Sequence, residues 1–176
     1  MRHDIDIEND SMHPTENHNT QNIKTVSFPN ALLIPELVKI MDEGHTITIT
    51  PKGVSMRPFL ESQRDKAVLK KATNPQVGDV VLAEVSPRRY VLHRIIKISD
   101  SIVTLRGDGN IGVEMCHVKD VKAVAIGFYR KGRETLDRTD GRKWKIYSWA
   151  WTKLFPIRRY LIGAYKKIWI PIFGAI

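Results

Sequence analysis

Residues 88–106, RRYVLHRIIKISDSIVTLR, decide the fold of this chain. Aliphatic and β-branched residues dominate the segment, and its centre is broken by Asp100 and the serines on either side. Because β-branched residues favour strands, we predict one strand over residues 88–99 and a second over residues 101–106, paired through a turn at Asp100. This hairpin predicts a sheet-based domain.

The rest of the central region follows the same pattern. We predict further strands over residues 45–50, 65–71, 79–85 and 121–130, separated by turns rich in glycine, proline and asparagine. Short strands at this spacing indicate a mainly β core. A helix is predicted in front of it over residues 30–44, because Leu33, Leu37, Ile40 and Met41 recur at helical spacing.

Composition narrows the class of protein. At 176 residues and 42% hydrophobic content, the chain suffices for one domain with tails. Its single cysteine, Cys116, excludes an internal disulfide and a cysteine-rich metal site. We therefore predict neither a metal nor a cofactor. A formal charge of +9 favours an anionic partner, either a membrane surface or a nucleic acid.

The two ends of the chain differ from its centre. Residues 1–28 are polar, which predicts a disordered tail, and they contain no apolar core, so we do not expect a signal peptide. Residues 141–176 contain no acidic residue and hold all four tryptophans. We expect three parts, namely this tail, a β domain with its helix over residues 29–140, and a basic tail over residues 141–176.

The basic tail has helical periodicity on both sides of Pro156. Trp144, Tyr147, Trp151 and Leu154 form one apolar face before it, and Tyr160, Leu161, Ala164 and Ile168 form another after it. Each piece is too short to span a bilayer. Two placements fit this pattern: the helices lie in an anionic membrane interface, or they pack on the β domain. The predicted location is cytoplasmic or peripheral to a membrane.

Three short clusters carry residues suited to hydrolysis. Ser55 lies in a turn between Gly53 and Pro58, His93 lies within the long predicted strand, and Asp108 lies in the turn Gly107-Asp108-Gly109-Asn110. A serine hydroxyl needs a base within hydrogen-bond reach, and the base needs an orienting acid. Each residue alone is typical of ordinary turns and strands, so the combination carries the prediction.

That combination resembles the signal peptidase I / LexA-like serine peptidase superfamily. The resemblance covers residues 46–132 and includes Gly-Val-Ser-Met-Arg-Pro, a Gly-Asp-Val-Val strand, His-Arg-Ile and Gly-Asp-Gly-Asn, in that order. It implies that Ser55 is the nucleophile. It further implies that His93 is the base, as in the archaeal and endoplasmic-reticulum type, where histidine replaces the more usual lysine.

The identity of the orienting acid stays open at this point. The resemblance places Asp108 in the acidic turn and a second acid at Glu114, where the family has aspartate. Either carboxylate can orient His93, or Asp108 can brace the turn while Glu114 contacts the imidazole.

The flanking segments depart from the family pattern. We expect neither the N-terminal membrane anchor of signal peptidases nor a DNA-reading domain, which makes nucleic acid an improbable partner. The leading expectation is a serine endopeptidase that binds an extended peptide and cuts after a small residue, as the resemblance implies. The alternative is a non-catalytic or self-cleaving regulatory or membrane-binding module with the same fold.

Overall fold

A computed structural model of the protein describes residues 30–174. The predicted polar tail over residues 1–28 therefore lies outside the described residues. The described chain begins with helix α1 and continues through eight strands to three C-terminal helices. Their bounds are α1 Asn30–Asp42, β1 Ile47–Ile49, β2 Lys66–Lys71, β3 Val80–Ser86, β4 Arg89–Ser99, β5 Ile102–Arg106, β6 Glu114–His117, β7 Val121–Tyr129, β8 Asp137–Arg138, α2 Arg142–Lys153, α3 Phe155–Ala164 and α4 Ile170–Phe173.

The strands form one antiparallel sheet that curls into a half-barrel. Its strand order is β1-β2-β7-β3-β4-β5-β6, and β8 pairs with β7 beside that path. The mainly β prediction is confirmed, and all six predicted strands are present with ends shifted by a few residues. Strands β6 and β8 were not predicted. Both are short, and β6 reads Glu-Met-Cys-His, which has no β-branched residue to signal a strand.

Each face of the sheet carries its own apolar cluster, because successive side chains of a strand point to opposite faces. On β3, Val80 and Leu82 join the cluster that α1 and α2 cover, whereas Val81 and Ala83 join the opposite one. Side chains of β4 are divided between the two clusters in the same way, with Leu92 in the first and Ile95 in the second. Residues on β4 that are next to each other in sequence therefore reach different surroundings.

Helix α1 packs on the sheet by a face that differs slightly from the predicted one. Ile34 and Met41 are buried, with Leu37 and Val38 packed beside them. Ile40, which was predicted on that face, is exposed. The predicted stop at Gly44 holds: its φ of +93° lies in the left-handed region that favours glycine after a helix.

Helix α2 belongs to the body of the domain. Trp144 is 7% exposed and lies in the same cluster as Phe59 and Phe128, with ring centroids 4.9 and 5.1 Å away. Of the two placements left open by the sequence, packing on the β domain therefore applies to α2. Packing continues without a break across the boundary predicted after residue 140.

Beyond α2 the chain is helical almost to the end of the described region. Helix α3 passes through a π-helical segment, Tyr165–Trp169, into α4. The predicted apolar face of Tyr160, Leu161, Ala164 and Ile168 is exposed, and Arg158, Ile162 and Tyr165 are the residues that point inward. Within residues 30–174, no helix combines the length and the apolar character needed to cross a membrane.

Candidate active site

Ser55 lies in a tight turn that follows β1. Gly53 enters the turn with φ +93°, and the amide of Arg57 donates to the carbonyl of Val54 at 3.1 Å. Met56 and Phe59 anchor the turn in the core. Ser55 itself is half-buried, and neither its hydroxyl nor its amide has a hydrogen-bond partner within residues 30–174. Its hydroxyl and amide are thus not used to hold the turn together.

The Gly-Asp-Gly-Asn turn lies directly on the Ser55 turn. The amide of Gly109 donates to the carbonyl of Ser55 at 2.7 Å. A Cβ at Gly107 would lie 2.4 Å from that carbonyl oxygen, and a Cβ at Gly109 would lie 2.7 Å from the carbonyl oxygen of Val54. Real Cβ atoms do not approach backbone oxygen so closely. Both glycines are therefore required for the two turns to pack together.

His93 meets the same place from β4. Its Nε2 would lie 3.0 Å from a Cβ at Gly107, so this nitrogen and the Ser55 carbonyl oxygen face the same small space beside that glycine. Its Nδ1 lies 2.6 Å from Oε2 of Glu114. The imidazole is 3% exposed. Burial lowers the pKa of His93 below its ordinary value of 6.5, and the Glu114 carboxylate opposes that shift. Neutral pH therefore leaves the imidazole uncharged and able to accept a proton.

Asp108 is engaged by Arg94. The guanidinium donates to both carboxylate oxygens, at 2.9 and 2.6 Å, and the two side chains are each 1% exposed. Tyr147 of α2 donates to Oδ2 of Asp108 at 3.2 Å, and burial raises the pKa of this phenol well above its ordinary value. The charge of Asp108 is thus paired with that of Arg94, and these contacts hold Asp108 in place within the turn.

Strand parity explains this division between the two acids. His93 and Arg94 are adjacent on β4, so they point to opposite faces of the sheet. His93 shares a face with Ile95, and that face also receives Glu114, since Leu105 on β5 pairs with Glu114 in the sheet. Arg94 points to the face that α2 covers, and there it meets Asp108.

Helix α2 supplies contacts that the sequence did not predict. Ser148 accepts from Arg94 Nη1 at 2.8 Å, and the indole of Trp151 donates to the carbonyl of Asp108 at 3.1 Å. The guanidinium of Arg94 also lies 4.7 Å from the ring of Trp144. The available signal was the apolar spacing of Trp144, Tyr147 and Trp151, but that spacing indicates a buried face without identifying its partner.

An open cleft lies beside Glu114 and the acidic turn. It has a volume of about 370 Å³ and runs along residues 109–114 on one wall, with Arg159, Ile162 and Lys166 on the other. Strands β1 and β6 end the sheet order, since among the described strands β1 pairs only with β2 and β6 only with β5. The Ser55 turn follows β1 along the chain, and β6 begins at Glu114.

Thiol chemistry and metal binding are both disfavoured by the arrangement of the described residues. Cys116 is buried on the face of β6 that carries Glu114, and burial raises the pKa of its thiol, which disfavours a reactive thiolate. Among residues 30–174, no three histidine, cysteine or acidic side chains converge in a way that would hold a metal ion.

The four residues predicted for the site thus fall into two connected groups. In the first group, the Ser55 backbone and His93 Nε2 lie beside Gly107, and Glu114 contacts the other nitrogen of His93. In the second group, Asp108 is paired with Arg94. No protein-family model matches the sequence, and a search of curated proteins finds no match. The function is therefore inferred from the chemistry of these residues.

Proposed function

We propose that the protein is a serine endopeptidase in which Ser55 is the nucleophile, His93 the general base and Glu114 the acid that orients it. The observation that carries the proposal is the convergence at Gly107 of the Ser55 backbone and His93 Nε2, with Glu114 on the other ring nitrogen. Glu114 Oε2 is at contact distance from Nδ1 but is not aligned with it as a hydrogen-bond acceptor; a rotation of the carboxylate that aligns them fixes the tautomer that leaves Nε2 free to accept a proton.

The reaction proceeds by acyl transfer. Ser55 Oγ forms a bond to the carbonyl carbon of the scissile peptide while its proton passes to His93 Nε2. The resulting imidazolium, stabilised by Glu114, returns the proton to the leaving amine as the C–N bond breaks. Water then attacks the acyl-enzyme in the same manner, and His93 again accepts and returns the proton. General base assistance of this kind contributes about 10²–10⁴-fold.

The amide of Ser55 is suited to stabilise the oxyanion. It donates to no residue between 30 and 174, so it can donate to oxygen charge that develops on the substrate carbonyl. The neighbouring carbonyl of Ser55 is held by Gly109, which fixes the orientation of the peptide plane that follows Ser55.

The substrate is an extended peptide. A peptide that adds to an open sheet edge gains main-chain hydrogen bonds and presents alternate side chains to the protein. Strand β6 begins at Glu114 and its outer edge is unpaired among the described strands, so a peptide strand added there starts beside a group of the reaction. A small residue before the cut is expected from the family resemblance.

The test is cleavage of a peptide library, read by mass spectrometry. Wild type should cut a defined subset, Ser55→Ala should reduce cleavage at least 10³-fold, and Ser99→Ala, an exposed serine on β4, should behave as wild type. Incubation of the pure protein alone reports self-cleavage. Equal cleavage by wild type and Ser55→Ala, or no cleavage by wild type, would contradict the proposal.

A further inference from the structure

Arg158 on α3 is a buried cation that lacks a carboxylate partner. It is 2% exposed, and within residues 30–174 its Nε has no hydrogen-bond acceptor. Its Nη2 donates to the carbonyl of Trp151, and its guanidinium lies 5.1 Å from the Trp151 ring. A buried charge that is not paired is costly. A buried arginine without a carboxylate partner can bind an anion that is not part of the chain.

A second guanidinium lies close by. Arg106, at the end of β5, stacks over the ring of Phe155 at 3.8 Å, and its buried Nε likewise has no acceptor among the described residues. Burial lowers the pKa of Arg158; the Asp108 carboxylate opposes that shift, and the positive charge of Arg106 adds to it. Two cations that repel one another in a half-buried site concentrate positive potential there.

Arg158 borders space that can hold a small anion, and Arg106 stacks on Phe155, which lines the same space. A cavity of about 110 Å³ is lined by Arg158, Arg159 and apolar groups of Ile111, Phe155 and Pro156. One water needs only about 10–15 Å³ of such space, so a tetrahedral oxyanion fits. Asp108 acts on Arg158 only from a distance, because its carboxylate is paired with Arg94, and Glu114 is paired with His93 and Arg89.

An exposed apolar face continues from this cavity along the helices. Four aliphatic side chains, those of Ile157, Leu161, Ile168 and Ile172, are exposed along α3, the π-helical segment and α4. Basic residues flank them, and residues 141–176 contain no acidic side chain. A helix that combines an apolar face with basic flanks is typical of segments that lie in the interface of an anionic membrane.

We infer that Arg158 and Arg159 bind the phosphate oxyanion of an anionic phospholipid headgroup, with the positive charge of Arg106 behind Phe155 and the exposed apolar face of residues 157–172 inserted among the lipid chains beside it. Free phosphate shares the oxyanion chemistry, but it leaves four exposed aliphatic side chains uncovered. A lipid satisfies both features together. The inference is independent of peptide cleavage, since it uses none of the residues assigned to the reaction.

The experiment measures binding of the full chain to vesicles of phosphatidylcholine alone or mixed equally with phosphatidylglycerol. Wild type should bind only the mixed vesicles, and inorganic phosphate should compete better than chloride at equal ionic strength. Arg158→Gln and Arg159→Gln should each weaken binding about fivefold, the effect expected for one basic residue near an anionic surface. Arg133→Gln, an exposed arginine on the turn between β7 and β8, should bind as wild type.

Circular dichroism establishes that each variant is folded. If Arg158→Gln does not fold, Arg159→Gln and Arg106→Gln carry the test. Equal binding by wild type and the cavity variants would overturn the inference, and so would equal binding to both vesicle types. Stabilisation by phosphate without vesicle binding would show that the source is free phosphate. Concentration-dependent self-association in place of vesicle binding would show that a second copy covers the face, and this too would overturn the inference.

Discussion

Replacing Glu114 with glutamine tests the role of the carboxylate that contacts His93. Glu114→Gln should reduce kcat/KM by about 10²–10⁴-fold, because the imidazolium loses its counter-charge. Glu114 raises the pKa of His93, so its removal should also move the acidic limb of the kcat/KM profile to lower pH. Glu134→Gln, at an exposed site, is the control. An unchanged acidic limb would contradict the assignment.

Asp108 should respond in a different way. Arg94 and Asp108 are each 1% exposed, so Asp108→Asn leaves a buried cation unpaired and should cost roughly 3–5 kcal/mol of unfolding free energy. Urea titration measures this loss. Asp42→Asn removes an exposed partner of Lys71 and should change stability little. If Asp108→Asn is as stable as wild type, Asp108 does not brace the turn.

The sequence identified both acids but could not assign them. Their assignment depends on strand register: His93 and Arg94 point to opposite faces of β4, and Glu114 reaches His93 only because β6 pairs with β5. Strand β6 is four residues long and lacks β-branched residues, so local pattern did not reveal it. The sequence alone predicts that His93 and Arg94 point to opposite faces of β4. The position of Glu114 depends on the pairing of β6 with β5, which the sequence pattern does not reveal.

At the scale of elements, the packing of two turns on each other can be tested by adding one methyl group. Gly107→Ala and Gly109→Ala place a Cβ against backbone oxygens of the Ser55 turn and should lower the urea midpoint measurably. Gly112→Ala lies in the same loop with nothing within 4 Å of its Cβ and should be nearly neutral. Equal midpoints for all three variants would show that the turns do not require close approach.

Helix α2 offers a matched pair of tryptophans. Trp144 is 7% exposed and contacts Phe59 and Phe128, so Trp144→Ala should cost roughly 3–5 kcal/mol. Trp149 is 65% exposed on the same helix, and Trp149→Ala should change stability by no more than about 0.5 kcal/mol. Chemical denaturation compares the two. Similar losses in both variants would mean that α2 is not part of the core.

At the scale of the whole molecule, the sequence revealed the mainly β class and left the tertiary partner of the basic segment open. Amphipathic periodicity reports that one face of a helix is apolar, but a sheet and a bilayer can both cover such a face. The division falls within the segment: α2 packs on the sheet through Trp144, whereas α3 exposes Leu161 and the π-helical segment after it exposes Ile168. Only tertiary contacts distinguish the two cases.

The buried His93 should make the whole fold sensitive to mild acid. Its pKa is lowered by burial in the folded protein, so near pH 6.5 the unfolded chain binds a proton that the folded protein does not. Stability should therefore fall as the pH drops from above 6.5 toward the lower folded pKa. The Asp65 carboxyl, whose pKa is held low by Arg64 and backbone amides despite burial, loses its contribution only below 3.8, in a separate window.

Urea midpoints measured across both windows test this sign. Replacing His93 with glutamine should flatten the dependence near pH 6.5, because glutamine does not titrate, and should leave the lower window unchanged. His45→Gln removes an exposed histidine and should retain the wild-type dependence. Glu114 and Asp108 favour the protonated imidazole and Arg89 opposes it, so a wild-type midpoint that rises toward acid would mean that these carboxylates outweigh burial. That outcome would place the pKa of folded His93 above 6.5 and would contradict the argument that burial keeps the imidazole neutral.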